Sequence, residues 1–406
     1  MLRLLRLPDR ARGSPLSAHV EAWTRRWRSR ASLAYDVPFS DHSARFHFVQ
    51  AELASELETV FSLRTDSEIS DYLESFADDY ARSLGLDFGA GTSSGTAALT
   101  FSLLALGLEP GDEVLVPCYT FVATALAVCA AGGTPVFVDA SSSGPHLDLD
   151  DAARKAGPRT KGLIEAHLFG GMADPAPLVD FCRARGLFFL EDACQAHGVR
   201  WDGRLAGAFG DAAAFSFNQT KLLSGLGNGG IMVTSDTELL RKARLLRDPQ
   251  SREPFILRSR RTPGYLDPVQ AACVRVQMGA LDRLLQRHRS LAACYLSGLA
   301  GLPLRLPEEG GALRRTWHWF VIRTSRRDAL RTFLRERGID SRVGFFEPLA
   351  GLDAFRGIAG AGGRYPEAER LWRESLALPI GPHMEEQGAR RVSAAVRDFF
   401  ALRSPS

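Results

Sequence analysis

Between residues 91 and 233, short apolar runs alternate with segments of helical spacing, and that rhythm leaves the chain few folds to choose from. The runs fall at 114–116, 135–138, 162–167, 187–190, 213–217 and 231–233. Helices are predicted between them at 96–106, 123–131 and 177–185, the last two stopped by Gly132-Gly133 and Gly186. Short strands that read as buried on both faces, separated by helices, build a mainly parallel sheet. The expected fold class is therefore α/β, with ligands gathering outside the carboxyl ends of the strands. Asp139, Asp192 and Ser216 all fall at or near such ends.

The flanks are organised differently. Residues 48–61 and 71–84 carry apolar side chains at helical spacing, with Gly85 as a stop, and neither helix is apolar all round, so both must pack on something larger. Residues 251–263 are Arg-rich and irregular, and 268–299 reads as one long helical region. A strand at 318–322, helices at 327–335 and 367–376, and a flexible glycine loop at 357–363 complete the chain. These textures predict a basic N-terminal extension (1–36), a large domain (37–250) and a small C-terminal α+β domain (251–406). An amphipathic pattern at 16–27 reads as a solvated tail or packing arm rather than a membrane-surface segment, being short and closely preceded by Pro8, Gly13 and Pro15.

Bulk properties exclude several classes. A net charge of +3 is too small for a dedicated nucleic-acid face, and no apolar run approaches the ~18 residues that span a membrane. The six cysteines form no C-x-x-C pair and no metal-ligand spacing. They read as free thiols in a reducing compartment, hence a cytoplasmic protein with no metal site.

The chemistry centres on one residue type. Of fifty basic residues only four are lysines, and Lys221 sits in A-A-F-S-F-N-Q-T-K-L-L-S-G-L-G-N-G-G. Arginine stays protonated and cannot form a Schiff base, whereas a desolvated lysine can lose its proton and attack a carbonyl. By residue type alone Lys221 reads as a surface lysine, and the surrounding motifs reverse that preference. Pyridoxal phosphate needs a lysine amine, an acid facing its ring nitrogen, a stacked ring and donors for its phosphate. Asp192, in E-D-A-C-Q-A-H-G, is the candidate acid, although alone it reads as a helix cap or an ion-paired rim residue. Gln195 is within reach of the ring hydroxyl, or is a helix-surface residue. Ser94-Gly95-Thr96 open a helix and offer amides and a dipole to an anion, as do many ordinary caps. Ser216 can share the phosphate, and Phe121 can lie on the ring or belong to the core.

Together these stretches resemble the DegT/DnrJ/StrS family of sugar aminotransferases. The resemblance is carried by S-S-G-T-A-A-L, G-D-E-V-L-V-P-C-Y-T-F-V-A-T, T-P-V-F-V-D, A-H-L-F-G-G-M-A-D, E-D-A-C-Q-A-H-G, the Lys221 stretch and A-L-P-I-G-P-H, and it covers about residues 45 to 400. It implies a fold type I pyridoxal-phosphate enzyme, similar to those that aminate nucleotide-linked 3-keto-6-deoxyhexoses. It further implies a homodimer that takes a keto sugar and an amino-acid donor, glutamate or glutamine. On this resemblance Lys221 carries the cofactor and shuttles the proton, Asp192 binds the ring nitrogen, Phe121 stacks and Gln195 meets the ring hydroxyl. Gly95, Thr96 and Ser216 hold the phosphate.

The chain departs from the family pattern on the substrate and partner side. Pro263 and Tyr265 stand where an Asn and an Arg are usual, Gly344 and Ala350 where histidines are, Phe345 where a tyrosine is, and Asn228 where an acid is. The resemblance then implies that one phosphate contact is lost or comes from elsewhere, with Arg260 or Arg261 as candidates. Competing readings are another pyridoxal-phosphate enzyme, such as a cyclitol or non-sugar ketone aminotransferase or an eliminase, and a catalytically retired partner subunit.

Overall fold

The computed structural model describes residues 35–41, 44–247, 264–344, 347–358 and 363–402. Most of the expected extension, the 16–27 pattern, the Arg-rich 251–263 stretch with Arg260, Arg261 and Pro263, Phe345, and most of the glycine loop lie outside the described residues.

After a single helical turn at Ala44–His47, two longer helices lead in: α1 (Gln50–Ser62) and α2 (Asp66–Ser83). The second starts earlier than its apolar spacing predicts, because Thr65 and Glu68 form a capping box that satisfies backbone donors at the first turn. The sheet follows, with β1 (Phe88–Thr92), β2 (Glu113–Pro117), β3 (Thr134–Val138), β4 (Thr160–Ala166) and β5 (Phe188–Asp192). The small strands β6 (Arg200–Trp201) and β7 (Arg204–Leu205) intervene before β8 (Ala212–Ser216) and β9 (Gly230–Thr234). The connecting helices are α3 (Gly95–Ala105), α4 (Val122–Ala130), α5 (Leu149–Lys155) and α6 (Pro175–Arg185), and α7 (Thr237–Arg247) follows β9.

The seven strands are ordered β1-β9-β8-β5-β4-β2-β3. Pairing is parallel from β8 through β3, while β9 runs against both of its neighbours. This is the mainly parallel α/β sheet that the alternation predicts. Every residue of β8 and β9 is buried, as expected of central strands covered on both faces. With one exception the strands finish on one rim, which gathers Thr92, Pro117, Val138, Ala166, Asp192 and Ser216; β9 begins there at Gly230.

The C-terminal part builds a second core. The region 268–299 is two helices, α8 (Pro268–Gly279) and α9 (Leu281–Leu299), because Ala280 leaves helical geometry at φ −103°, ψ 3°. Next come β10 (Leu313–Arg314), which pairs with β6, then β11 (Phe320–Arg323), α10 (Arg327–Glu336), α11 (Pro366–Glu374), β12 (Ser375–Leu378) and α12 (Glu386–Ala401). Leu291, Tyr295, Phe320, Leu334, Leu376, Val396 and Phe399 meet there, joined by Val37, which bridges Ile339. β11 starts later than 318 because Trp317 is left-handed, φ 55°. Among the described residues three helices of more than one turn escaped the sequence reading: α5, α7 and α12. Two had caps in plain sight, Asp148 for α5 and Asp236 for α7, and α12 carries Val392, Val396 and Phe399 at helical spacing.

Phe76 of α2 has no exposed surface and its ring centroid lies 5.9 Å from that of Phe217, just before the Lys221 loop. Phe76→Ala should lower the stability to chemical denaturation by about 3–5 kcal/mol. A loss below roughly 1 kcal/mol would mean that α2 does not brace the sheet.

Candidate active site

The loop from β8 to β9 carries Lys221 and is fixed at both ends by the sheet. Phe217 N–H donates to Gly229 O at 2.7 Å, Gln219 N–H to Gly227 O at 3.0 Å and Lys221 N–H to Asn218 O at 2.8 Å. Side chains brace it further: Asn218 donates to Asn228 Oδ1 at 2.7 Å and accepts from the amide and hydroxyl of Thr220. From α8, Gln270 accepts from Gly227 N–H, and Gln277 both accepts from Ser224 N–H and donates to Ser224 O. Asn228, a departure from the family pattern, thus completes a lock on the lysine loop. The Lys221 side chain is half-buried, and desolvation lowers its pKa from the usual lysine value, against the pull of Cys194 and Asp192.

Asp192 ends β5. Its Oδ2 accepts from Thr124 Oγ1 at 2.7 Å, and Thr124 in turn lies 3.1 Å from the Thr120 hydroxyl. Its Oδ1 accepts from Cys194 N–H at 3.3 Å. Two donors on different atoms fix the plane of the carboxylate. Thr124 was not singled out in the sequence, although it sits one helical turn past Phe121 on α4, and that spacing was the available signal.

Glu191 points the other way. Its carboxylate is fully buried and accepts amides from Gly207, Phe209 and Gly210 at 2.7–2.8 Å, plus His167 Nε2 at 2.8 Å. An anion ringed by donors has no hydrogen to give, so His167 Nε2 carries the proton. Burial alone would raise the Glu191 pKa, but the His167 bond and charge outweigh it and hold the acid below its usual range. For the same reason His167 is raised despite its burial.

The anion-binding end is built by close approach. Ser94 caps α3 by accepting from Ala97 N–H, and Gly95 and Thr96 stand at the first turn of the helix. A Cβ on Gly95 would lie 2.7 Å from Cys194 Sγ and 2.8 Å from Ser216 Cβ, so only glycine leaves this cradle open. Ser216 is steadied through its backbone: His197 Nε2–H donates to Ser216 O at 2.9 Å, and Tyr80 Oη–H donates to His197 Nδ1 at 2.8 Å. Burial pushes His197 down to about 4, which keeps the ring neutral and both bonds intact.

Gly95, Thr96, Phe121, Asp192, Gln195, Ser216 and Lys221 all line one cavity of about 560 Å³. The volume is that of a cofactor-sized site. Of the departures, Gly344 and Asn228 also line it, whereas Ala350 is buried in the core and Tyr265 is exposed beside Arg247. His167, His318, Trp319 and Arg342 line it too and were not anticipated. A cradle open at a helix start, an amine with a lowered pKa and a fixed carboxylate together fit pyridoxal phosphate. Among the described residues no cluster suits a metal ion, and no helix is long and apolar enough to cross a membrane. All six cysteines are free.

Comparison with known proteins gives a consistent picture. Residues 50–397 match the DegT/DnrJ/EryC1/StrS aminotransferase family. The chain is 41% identical over 367 residues to a dTDP-3-amino-3,4,6-trideoxy-alpha-D-glucose transaminase of Streptomyces venezuelae, covering 89% of this chain and 96% of that protein. The X-ray crystal structure of S. venezuelae DesV in complex with a ketimine intermediate superposes with a TM-score of 0.84 at 40% identity, over 91% of this chain and 99% of that one. Bacillus subtilis NtdA with bound cofactor PMP superposes at 0.79 with 25% identity, over 90% and 85% of the two chains.

The His197 strut has a pH signature. Its native pKa of about 4 lies below the ordinary 6.5, so as the pH drops through that window the unfolded chain takes up a proton that the native ring refuses. Stability is therefore lost between these two values, and the effect is absent above 6.5. His197→Gln should flatten this part of the pH–stability curve while lowering stability at neutral pH by about 1–3 kcal/mol. Melting curves over a pH series check it, and unchanged slopes would overturn it.

Proposed function

The chain belongs to the DegT/DnrJ/EryC1/StrS aminotransferase family, and from that premise we propose that it transfers an amino group from glutamate or glutamine to a nucleotide-linked keto-deoxysugar, with pyridoxal 5'-phosphate as cofactor. The observation that carries this reading is the meeting in one cavity of Lys221, with its lowered pKa, and the fixed carboxylate of Asp192. The similarity to a dTDP-amino-sugar transaminase supports the substrate class.

When bound, pyridoxal phosphate supplies a carbonyl for amines and a ring that accepts the electrons of a breaking C–H bond. The chain supplies the rest. Desolvation shifts Lys221 Nζ toward the neutral amine, the form that would bind the cofactor and take up and return a proton. Asp192, its carboxylate oriented by Thr124, would pair with the ring nitrogen and favour its protonated form. Gly95, Thr96 and Ser216, gathered at the α3 terminus, would hold the phosphate. Gln195 Oε1 is committed to Phe169 N–H at 2.9 Å, so its amide nitrogen is left to donate to the ring hydroxyl. Phe121 offers a flat apolar face at the start of α4.

Phe121 at the cavity is 55% exposed, Leu226 on the lysine loop 51% and Tyr265 44%. That exposure supports a homodimer in which a second copy closes the site. Light scattering of the full chain should give a dimer, and Leu226→Asp should weaken it; a monomer at micromolar concentration would count against this assembly.

Lys221→Ala should reduce amination of a keto sugar by roughly 10³-fold or more. Borohydride treatment with pyridoxal phosphate should leave an adduct on the Lys221 peptide of the wild type and none in the variant. Turnover retained by the variant, measured with labelled glutamate and product mass spectrometry, would sink the reading.

A further inference from the structure

Part of the cavity wall comes from the C-terminal body, and the cofactor reading gives it no task. His318, Trp319, Arg342, Val343 and Gly344 stand there beside Phe39. Two of the three non-glycine residues with positive φ among the described residues sit at this wall: Phe169 at 59° and Trp317 at 55°. Their segments touch. Thr316 N–H donates to Gly170 O at 3.0 Å, with a longer Trp319 N–H contact to Phe169 O at 3.5 Å. A Cβ on Gly170 would come within 2.4 Å of the His318 nitrogen, so the loop after β4 and the lead-in to β11 touch backbone to backbone.

Such strain is kept where it holds a functional group in place. In an extended strand Trp317 and Trp319 would share a face, two residues apart. The left-handed turn at Trp317 separates them. Trp317 is buried in the C-terminal core, stacked on Phe320 at 5.5 Å, and His288 Nδ1–H donates to its carbonyl at 2.9 Å. Trp319 instead stands half-buried in the cavity wall. Phe39 meets its ring edge-on at 5.6 Å, and Phe169 and His318 lie nearly parallel to it at 5.8 Å. Parallel rings that far apart are offset, so each neighbour covers only part of the indole, which stays half-buried. Behind it, a Cβ on Gly344 would already lie 3.1 Å from the Phe169 ring, so a larger residue there would push on the support of Trp319.

The geometry points to Trp319 as the residue that selects the sugar, its indole meeting the C–H-rich face of a deoxygenated keto hexose. This rests on the transaminase reading above. An apolar indole gains contact with a face that has lost a hydroxyl, whereas a hydroxyl placed against it leaves a buried polar group without a partner. Arg342, exposed at the rim over the Phe39 ring at 4.7 Å, adds a cation for the nucleotide phosphates.

The test compares wild type, Trp319→Phe and Trp319→Leu on a nucleotide-linked keto-deoxyhexose and its fully hydroxylated analogue. Trp319→Leu should raise KM for the deoxysugar about tenfold and erase most of the preference over the analogue, while KM for glutamate changes less than twofold. Trp319→Phe should restore most of the affinity. Nucleotide-sugar binding should quench tryptophan fluorescence in the wild type and much less in Trp319→Phe, a readout that decides the matter even if Trp319→Leu fails to fold. Unchanged sugar KM and preference, or equal losses for glutamate and sugar, would overturn the assignment. A wild type that binds the sugar with quenching but shows no glutamate-driven change in cofactor absorbance would overturn the transaminase reading instead, leaving the Trp319 contact standing.

Discussion

The captured carboxylate of Glu191 is what the rest of the site leans on. Neighbouring residues of a strand point to opposite faces, and a slip of one residue would exchange Glu191 for Asp192 at the rim. Two adjacent acids make that slip chemically plausible, since either could serve as an anion. Three backbone amides and the His167 ring settle the choice by filling the Glu191 oxygens on one side of the sheet. The register that follows sets Asp192 between Ala166 of β4 and Ala214 of β8. Only then does Thr124 reach the carboxylate, and only then does the β8 end, with Ser216 and Lys221 beyond it, open into the same cavity.

Much of this was legible in the sequence, because strand burial and strand direction leave simple traces. Runs such as E-V-L-V-P and F-F-L-E-D are apolar and short, and they end where chemistry-bearing residues begin. Parallel order then places those ends together, so Gly95, Asp192, Ser216 and Lys221 could be gathered from spacing and from the likeness to a known family. What stayed hidden depends on distance in sequence. Nothing in a linear reading ties Tyr80 to His197, 117 positions apart, or Gln277 to Ser224. Trp317 and Trp319 look alike on paper, and only a backbone reversal at the first sends them to different surroundings. The break at Ala280 is similarly silent, since alanine is the residue least expected to end a helix.

The two cores meet at the wall of the cavity, backbone against backbone. Phe169 and Trp317 both adopt left-handed backbone, and Gly170 lets the two chains touch. Val37 pairs with Ile339 on the C-terminal side, and Asp139, at the end of β3, accepts from the amides of Glu367 and Ala368 at the start of α11. The contacts at Gly170 and at Asp139 set the C-terminal body against the sheet rim, so its aromatic and cationic side chains face the residues at the strand ends across one cavity.

One strand runs against the rest, and its direction decides how the lysine segment is held. Because β9 enters the sheet at the rim, beside β8, the lysine segment leaves and re-enters the scaffold at adjacent positions. Its two roots are set by the ladder, while the exposed crest at Leu226 faces outward. A change at the crest therefore alters how the loop meets another molecule without displacing the amine, which separates the part of the loop that looks outward from the part held still.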